Sequence, residues 1–199
     1  MMNYISNENI DKINEYCKNN TLNFVSNYLR LTPLGFAVST CFSHKLSLPV
    51  IKVLLNNNAD INMINSVFCA TPLNLLVRSG FKKDPQAEAV LWYLIKQGAD
   101  IHCVDSNGCN LLMRCCQHDS LFLFEYLLQN GVDPTIENKL GYDLHHFITK
   151  YKRNNFVISL LQNGYKDYVL EQYSADNFEC LDHIDDYLDI GPKCATKLF

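Results

Sequence analysis

The sequence lacks several features that would assign it quickly. It has no run of about 18 apolar residues, so no segment is expected to span a membrane. Its N-terminus, MMNYISNENIDKINEYCKNN, has no apolar stretch of the secretory kind. It has no basic excess: 17 Lys and Arg stand against 21 Asp and Glu, a net charge of −4. Without a field to neutralise phosphates, nucleic acid is not an expected partner. It has no G-x-G-x-x-G and no P-loop, so no nucleotide cofactor is expected. Cysteine is plentiful, at nine residues in 199, but the count is odd and the chain is not small. These features point to a reduced, cytoplasmic protein with small buried thiols rather than a disulfide framework. With 48% hydrophobic and 19% charged residues, the composition is that of a folded domain or repeat array.

The chain does contain a recurring phrase. LLNNNADIN (54–62), LIKQGADIH (94–102) and LLQNGVDPT (127–135) share an apolar pair followed, five residues after its second member, by Asp60, Asp100 and Asp133. A fourth pair, Leu160-Leu161, precedes QNG and departs from the pattern at Tyr165. Gly98, Gly131 and Gly164 stand where a helix stops in the left-handed conformation, and Asn57 or Asn58 takes that place in the first copy. Upstream, TPLGFAV starts at Thr32, TPLNLLV at Thr71, NLLMRCC at Asn110 and DLHHFIT at Asp143. A Thr hydroxyl caps free helix N–H groups, and Pro in the first turn needs no donor. Each second helix repeats an i, i+1, i+4, i+5 apolar pattern: Val50, Ile51, Leu54, Leu55, then Val90, Leu91, Leu94, Ile95, and likewise from Leu123 and Phe156.

This register resembles the ankyrin repeat, with its Thr-Pro-Leu opening and its Gly-Ala-Asp-Val-Asn close. DSNGCNLLMRCC carries the likeness best, with Asp105, Gly108, and Cys115-Cys116 in the paired Ala places. The resemblance implies an all-α ankyrin repeat solenoid of helix-turn-helix pairs joined by β-hairpins. Its expected divisions are an N-terminal capping helix (1–26), repeats at 27–65, 66–104, 105–137 and 138–165, and a degenerate repeat or helical cap at 166–199. The first two copies carry about five or six extra residues between their helices. Asp143-Leu144-His145 replaces Thr-Pro-Leu in the fourth, which allows its first helix a one-residue shift.

Ile10, Ile13 and Cys17 give the N-terminal segment one apolar face, as an end cap needs. Beyond Gly164, helices are expected near 166–173 and 177–189. In the latter, Phe178, Leu181, Ile184 and Leu188 form a stripe flanked by Asp182, Asp185, Asp186 and Asp189. It reads either as a cap with a solvated acidic face or as a segment that binds a partner or directs secretion.

Cys103, Cys109, Cys115, Cys116 and His118 crowd into sixteen residues, but their six-residue spacings do not suit a zinc site, and no metal is expected. A thiol hydrolase would pair Cys116 or Cys109 with His118 or His102. Residues two apart on a helix diverge by about 200°, which separates Cys116 from His118. Catalysis is therefore not expected. The spacing of Leu54, Asp60, Ile61 and Asn62 resembles ankyrin substrates of the asparaginyl hydroxylase of animal cells; otherwise Asn62 simply holds its turn.

Binding to another protein is the implied function. Ankyrin stacks bind with hairpin tips and the inner faces of first helices, which here projects Tyr28, Leu29, Val67, Phe68, Arg78, Ser106, Asn107, His118, Leu140, Tyr142, Lys150 and Tyr151. Some of these apolar residues could equally pack between hairpins. The lengthened loops add Phe42, His44, Phe81, Lys82 and Lys83. A monomer without cofactor is expected. The Asn-, Ile-, Lys- and Tyr-rich composition and diverged repeats resemble ankyrin effectors of intracellular bacteria such as Legionella, or poxvirus ankyrin host-range proteins. That likeness implies action in a host cytosol on a host protein, as an adaptor or an inhibitor of a partner enzyme.

Overall fold

The computed structural model describes residues 1–41, 47–66, 69–80 and 84–172. They form two compact units that divide between Asn107 and Gly108. The first holds α1 (Met2–Ser6), α2 (Ile10–Asn19), α3 (Pro33–Ser39), α4 (Ser47–Asn56), α5 (Pro72–Arg78) and α6 (Pro85–Lys96). The second holds α7 (Leu111–His118), α8 (Leu121–Gln129), α9 (Leu144–Lys150), α10 (Asn154–Gln162) and α11 (Lys166–Gln172).

The starts of the first helices follow the expected chemistry. Side-chain oxygens of Thr32, Thr71, Asn110 and Asp143 accept from the backbone N–H of Gly35, Asn74, Met113 and His146 at 2.9, 3.2, 3.0 and 3.0 Å. Each such cap stabilises its helix by about 1 kcal/mol. Asp143 caps at the same register as the others, so α9 has no one-residue shift: a carboxylate accepts as well as a hydroxyl, and Pro is dispensable after it.

The second helices close in a common way. Ala59, Ala99, Val132 and Tyr165 each donate from the backbone to the carbonyl five residues earlier, all at 3.0 Å. The intervening Asn58, Gly98, Gly131 and Gly164 have φ between 63° and 90°. This double-bonded stop satisfies carbonyls that the helix end would otherwise strand. The Asp that follows makes a tight turn: Asp60, Asp100 and Asp133 accept from the N–H two residues on at 2.8–2.9 Å.

In the first unit the helices form two rows. α1, α3 and α5 pack in sequence, α2, α4 and α6 do the same, and each pair packs across the rows. The apolar pattern lies between the rows: Leu34, Val38, Ile51, Leu54, Leu73, Leu76, Leu91 and Leu94 are fully buried. In the second unit α7 packs on α9 and α8 on α10, with α11 against α10. Phe124 and Phe156 meet edge-on there, with centroids 4.5 Å apart.

Three details differ from the sequence reading. Residues 2–6 add a helix ahead of α2, and the buried Ile5 and Ile13 let both pack on the stack. Pro49 in the sequence marks a helix start, yet α4 begins two residues earlier, at Ser47. The β-hairpins reduce, among the described residues, to one antiparallel bridge between Asn65 and Ala70. Side chains link neighbouring hairpins instead. Asn23 Oδ1 accepts from Asp60 N–H at 2.7 Å, and Asn62 Oδ1 accepts from Asp100 N–H at 2.9 Å. The expected 177–189 helix lies outside the described residues.

Asn65 is buried and ties three backbone points together. It accepts from Thr32 N–H at 2.7 Å and donates to the carbonyls of Ala70 at 3.0 Å and Met63 at 3.5 Å. A Cβ on Gly35 would collide with this amide. Gly35→Ala should therefore destabilise the protein by about 1–3 kcal/mol, read as a lowered urea midpoint with unchanged slope.

Candidate protein-binding surface

In the second unit a buried residue builds the exposed tip. Asn138 Oδ1 accepts from the backbone of Leu140 at 2.9 Å and of Tyr142 at 3.0 Å, while Asn138 N–H donates to the Tyr142 carbonyl at 2.9 Å. Gly141, at φ 73°, completes the reversal. Leu140 is left 72% exposed, and Tyr142 is exposed beside it.

From Tyr142 a chain of rings runs along α9. Tyr142 stacks on His146 with centroids 3.9 Å apart and planes 4° from parallel. His146 meets Phe147 edge-on at 5.7 Å, and Phe147 stacks with Tyr151 at 6.4 Å. Lys150 places its ammonium 5.8 Å from the Tyr151 ring centroid. His146 and Lys150 are four apart on α9 and lie along one helical line, and Tyr142, just ahead of the N-cap Asp143, stacks on the first of them. Phe147 is buried and anchors the series to the core, with Tyr142 exposed and His146 and Tyr151 half-buried.

The N-terminus of α9 is braced separately. The Tyr168 hydroxyl of α11 donates to Asp143 Oδ2 at 3.1 Å and accepts from His145 N–H at 3.2 Å. Burial lowers the pKa of His145, an effect that the Asp143 carboxylate opposes. His118, in the last turn of α7, is half-buried.

The first unit presents its residues differently. Tyr28 is 92% exposed on a turn in which Ser26 Oγ accepts from Leu29 N–H at 3.3 Å. Leu29, in the same turn, is half-buried. Arg78 is committed to structure: it contacts Asp105 Oδ2 at 3.4 Å, and only 1% of the Asp105 side chain is exposed. A carboxylate buried that deeply needs a partner. Asp105 Oδ1 also accepts from the N–H of Asn107, which is exposed, at 2.9 Å, and Ser106 between them is half-buried. Val67, Phe68, Phe42, His44, Phe81, Lys82 and Lys83 lie outside the described residues.

Asn62 is exposed, but both ends of its amide are engaged, through the 2.9 Å bond to Asp100 and a 3.4 Å bond to the Gly98 carbonyl. The exposed Ile64 and Val104 in the first unit, and Phe122 in the second, were not singled out from sequence. Their positions interrupt the repeat pattern without violating it, so periodicity gives no signal for them.

Among the described residues Cys41, Cys103, Cys109, Cys115 and Cys116 are buried and Cys17 is half-buried. Cys103 lies 3.3 Å from Thr71 Oγ1 and 3.0 Å from Asn74 Nδ2. Burial pushes its pKa up to about 11 and that of Cys41 up to about 12. It raises Cys115 and Cys116 as well, each in an Ala place of α7. Cys69 is exposed.

Within each unit, paired helices in two rows, closed by a common left-handed stop, define a helical repeat protein. The chain belongs to the ankyrin repeat family: the family model "Ankyrin repeats (3 copies)" matches residues 41–138 and 82–172. It is 22% identical over 130 residues to ankyrin repeat protein OPG189 of variola virus, both in isolate Human/India/Ind3/1967 and in a second variola sequence. That match covers 64% of this chain and 23% of the relative, so the chain spans about a quarter of the relative's length. Ankyrin repeats generally mediate protein–protein interaction. No helix among the described residues is long and apolar enough to cross a membrane.

The buried thiols carry a pH consequence. Cys41 and Cys103 stay protonated in the native state above the ordinary thiol value of 9.0, where the unfolded chain has released those protons. Their stabilising effect is thus complete below about pH 9 and is lost as pH rises through 11 and 12. Urea midpoints measured from pH 8 to 11 should fall, and Cys41→Ala with Cys103→Ala should flatten that fall.

Proposed function

We propose that the chain acts by binding another protein, and that the ring-lined face from Leu140 to Tyr151 is a principal contact. One observation carries this reading. Tyr142, His146, Phe147 and Tyr151 form a connected ring series anchored on a buried Phe, with Lys150 at its edge. Rigid aromatic anchors contribute most at protein interfaces, because little side-chain freedom is lost on contact. Exposed Tyr28 and Asn107 are proposed contacts of the first unit, with Leu29 and Arg78 supporting them from partly buried positions. His118 is proposed as a contact of the second. Phe68 and the loop residues Phe42, His44, Phe81 and Lys82 complete the proposed set. The repeat divisions 27–65, 66–104, 105–137 and 138–165 accord with the helix pairs.

The similarity to a variola virus ankyrin repeat protein supports a pathogen protein that engages a host protein in the host cytosol. The same surface would serve an adaptor or an inhibitor of a partner enzyme. A thiol hydrolase is disfavoured physically: a nucleophile needs thiolate near neutral pH, and burial acts against it at Cys41, Cys103, Cys115 and Cys116.

The test is affinity capture from host-cell lysate by the intact chain and by a Tyr142→Ala, Tyr151→Ala variant with matched helicity and melting. Loss of two anchors should weaken retention of a specific partner by about tenfold or more. Undiminished capture would remove the α9 face from the interface. A Tyr28→Ala arm reads the first unit separately.

A further inference from the structure

The chain's net charge lies almost wholly in one segment. Residues 1–107 hold nine basic and eight acidic side chains, and residues 108–172 hold six and seven. Residues 173–199 hold Asp176, Glu179, Asp182, Asp185, Asp186 and Asp189 against Lys193 and Lys197, a net −4 that equals the charge of the whole chain. Phe178, Leu181, Ile184 and Leu188 alternate with those carboxylates at helical spacing. The segment is therefore both apolar and acidic.

The α9 face has the opposite character. Its rings offer apolar area at Tyr142, His146 and Tyr151, and the charged side chain in ring contact with it is the ammonium of Lys150. Leu140 extends the apolar area at the tip. We propose that residues 173–199 occupy this face of the same chain as an internal occupant that an external partner must displace. This rests on reading the α9 face as a binding surface. An apolar side chain of the segment would cover the ring series, and a neighbouring carboxylate would pair with Lys150.

Reach and tethering favour the intramolecular partner. The segment starts directly after α11, in the same unit, and its 27 residues extend to about 90 Å when stretched. A short tether sets an effective concentration near the millimolar range, so a modest face suffices to hold its own chain. An outside protein then competes with a local ligand, which lowers apparent affinity until the segment is removed or neutralised.

Hydrogen exchange on the full chain tests this without knowledge of any partner. Amides of 177–189 should exchange at least about tenfold more slowly than a free peptide. In a Tyr142→Ala, Lys150→Glu variant they should return to free-peptide rates, while α7, α8 and α10 stay protected as the control for folding. Free-peptide rates in the unaltered chain would overturn the proposal, as would protection that survives in the variant. Protection that falls on tenfold dilution would assign the occupant to a second copy and overturn it equally. A protected segment together with failed lysate capture would count only against the host-partner reading.

Discussion

Everything in this fold depends on stopping each second helix at the right residue. Ending it requires two carbonyls to find donors as the backbone turns left-handed: the left-handed residue (Asn58, Gly98, Gly131 or Gly164) bonds to one, and the residue after it (Ala59, Ala99, Val132 or Tyr165) bonds to the other. The stop decides where the next chain reversal begins, hence which residues reach the following cap. Three copies use glycine, for which the left-handed conformation carries no Cβ penalty. The first uses Asn58, at φ 63°, and keeps the same geometry. Once the stop is set, the Asp turn and the cap at Thr71, Asn110 or Asp143 fall at nearly constant distance.

The repeat architecture was legible because its signals are local and chemical. A cap, a left-handed stop and an apolar stripe each announce themselves within a few residues, and four copies in register reinforce one another. Helix α1 was missed because five residues carry too little periodicity to register. The commitment of Arg78 to Asp105 was also hidden: the two are 27 positions apart, and burial of the carboxylate emerges only in the fold. The α9 ring series was half visible. Tyr142 and Tyr151 stood out as projected tips, yet His146 and Phe147, which connect them, looked like ordinary helix residues. Spacing alone does not say that rings will meet at 3.9 Å.

The two kinds of connection between paired helices divide the labour. Asp119 and Ser120 suffice between α7 and α8, whereas α3 and α4, and α5 and α6, are joined by longer segments. Loops held by a rigid framework tolerate change without loss of packing. In the second unit the hairpin tip and the first helix instead carry a ring series backed by Phe147, while Tyr168 braces the start of that helix through Asp143 and the His145 backbone. A surface held in place in this way has little order left to lose.

The meeting of Gly35 with Asn65 reaches beyond this one chain. A side chain at 35 is excluded while the Asn65 amide fills that space, and shortening Asn65 gives up its bonds to Thr32 and Ala70. Across descendants they should therefore behave as a single inherited character. A lineage that acquires a side chain at 35 must shorten the one at 65, and then find another way to hold the backbone of Thr32 and Ala70.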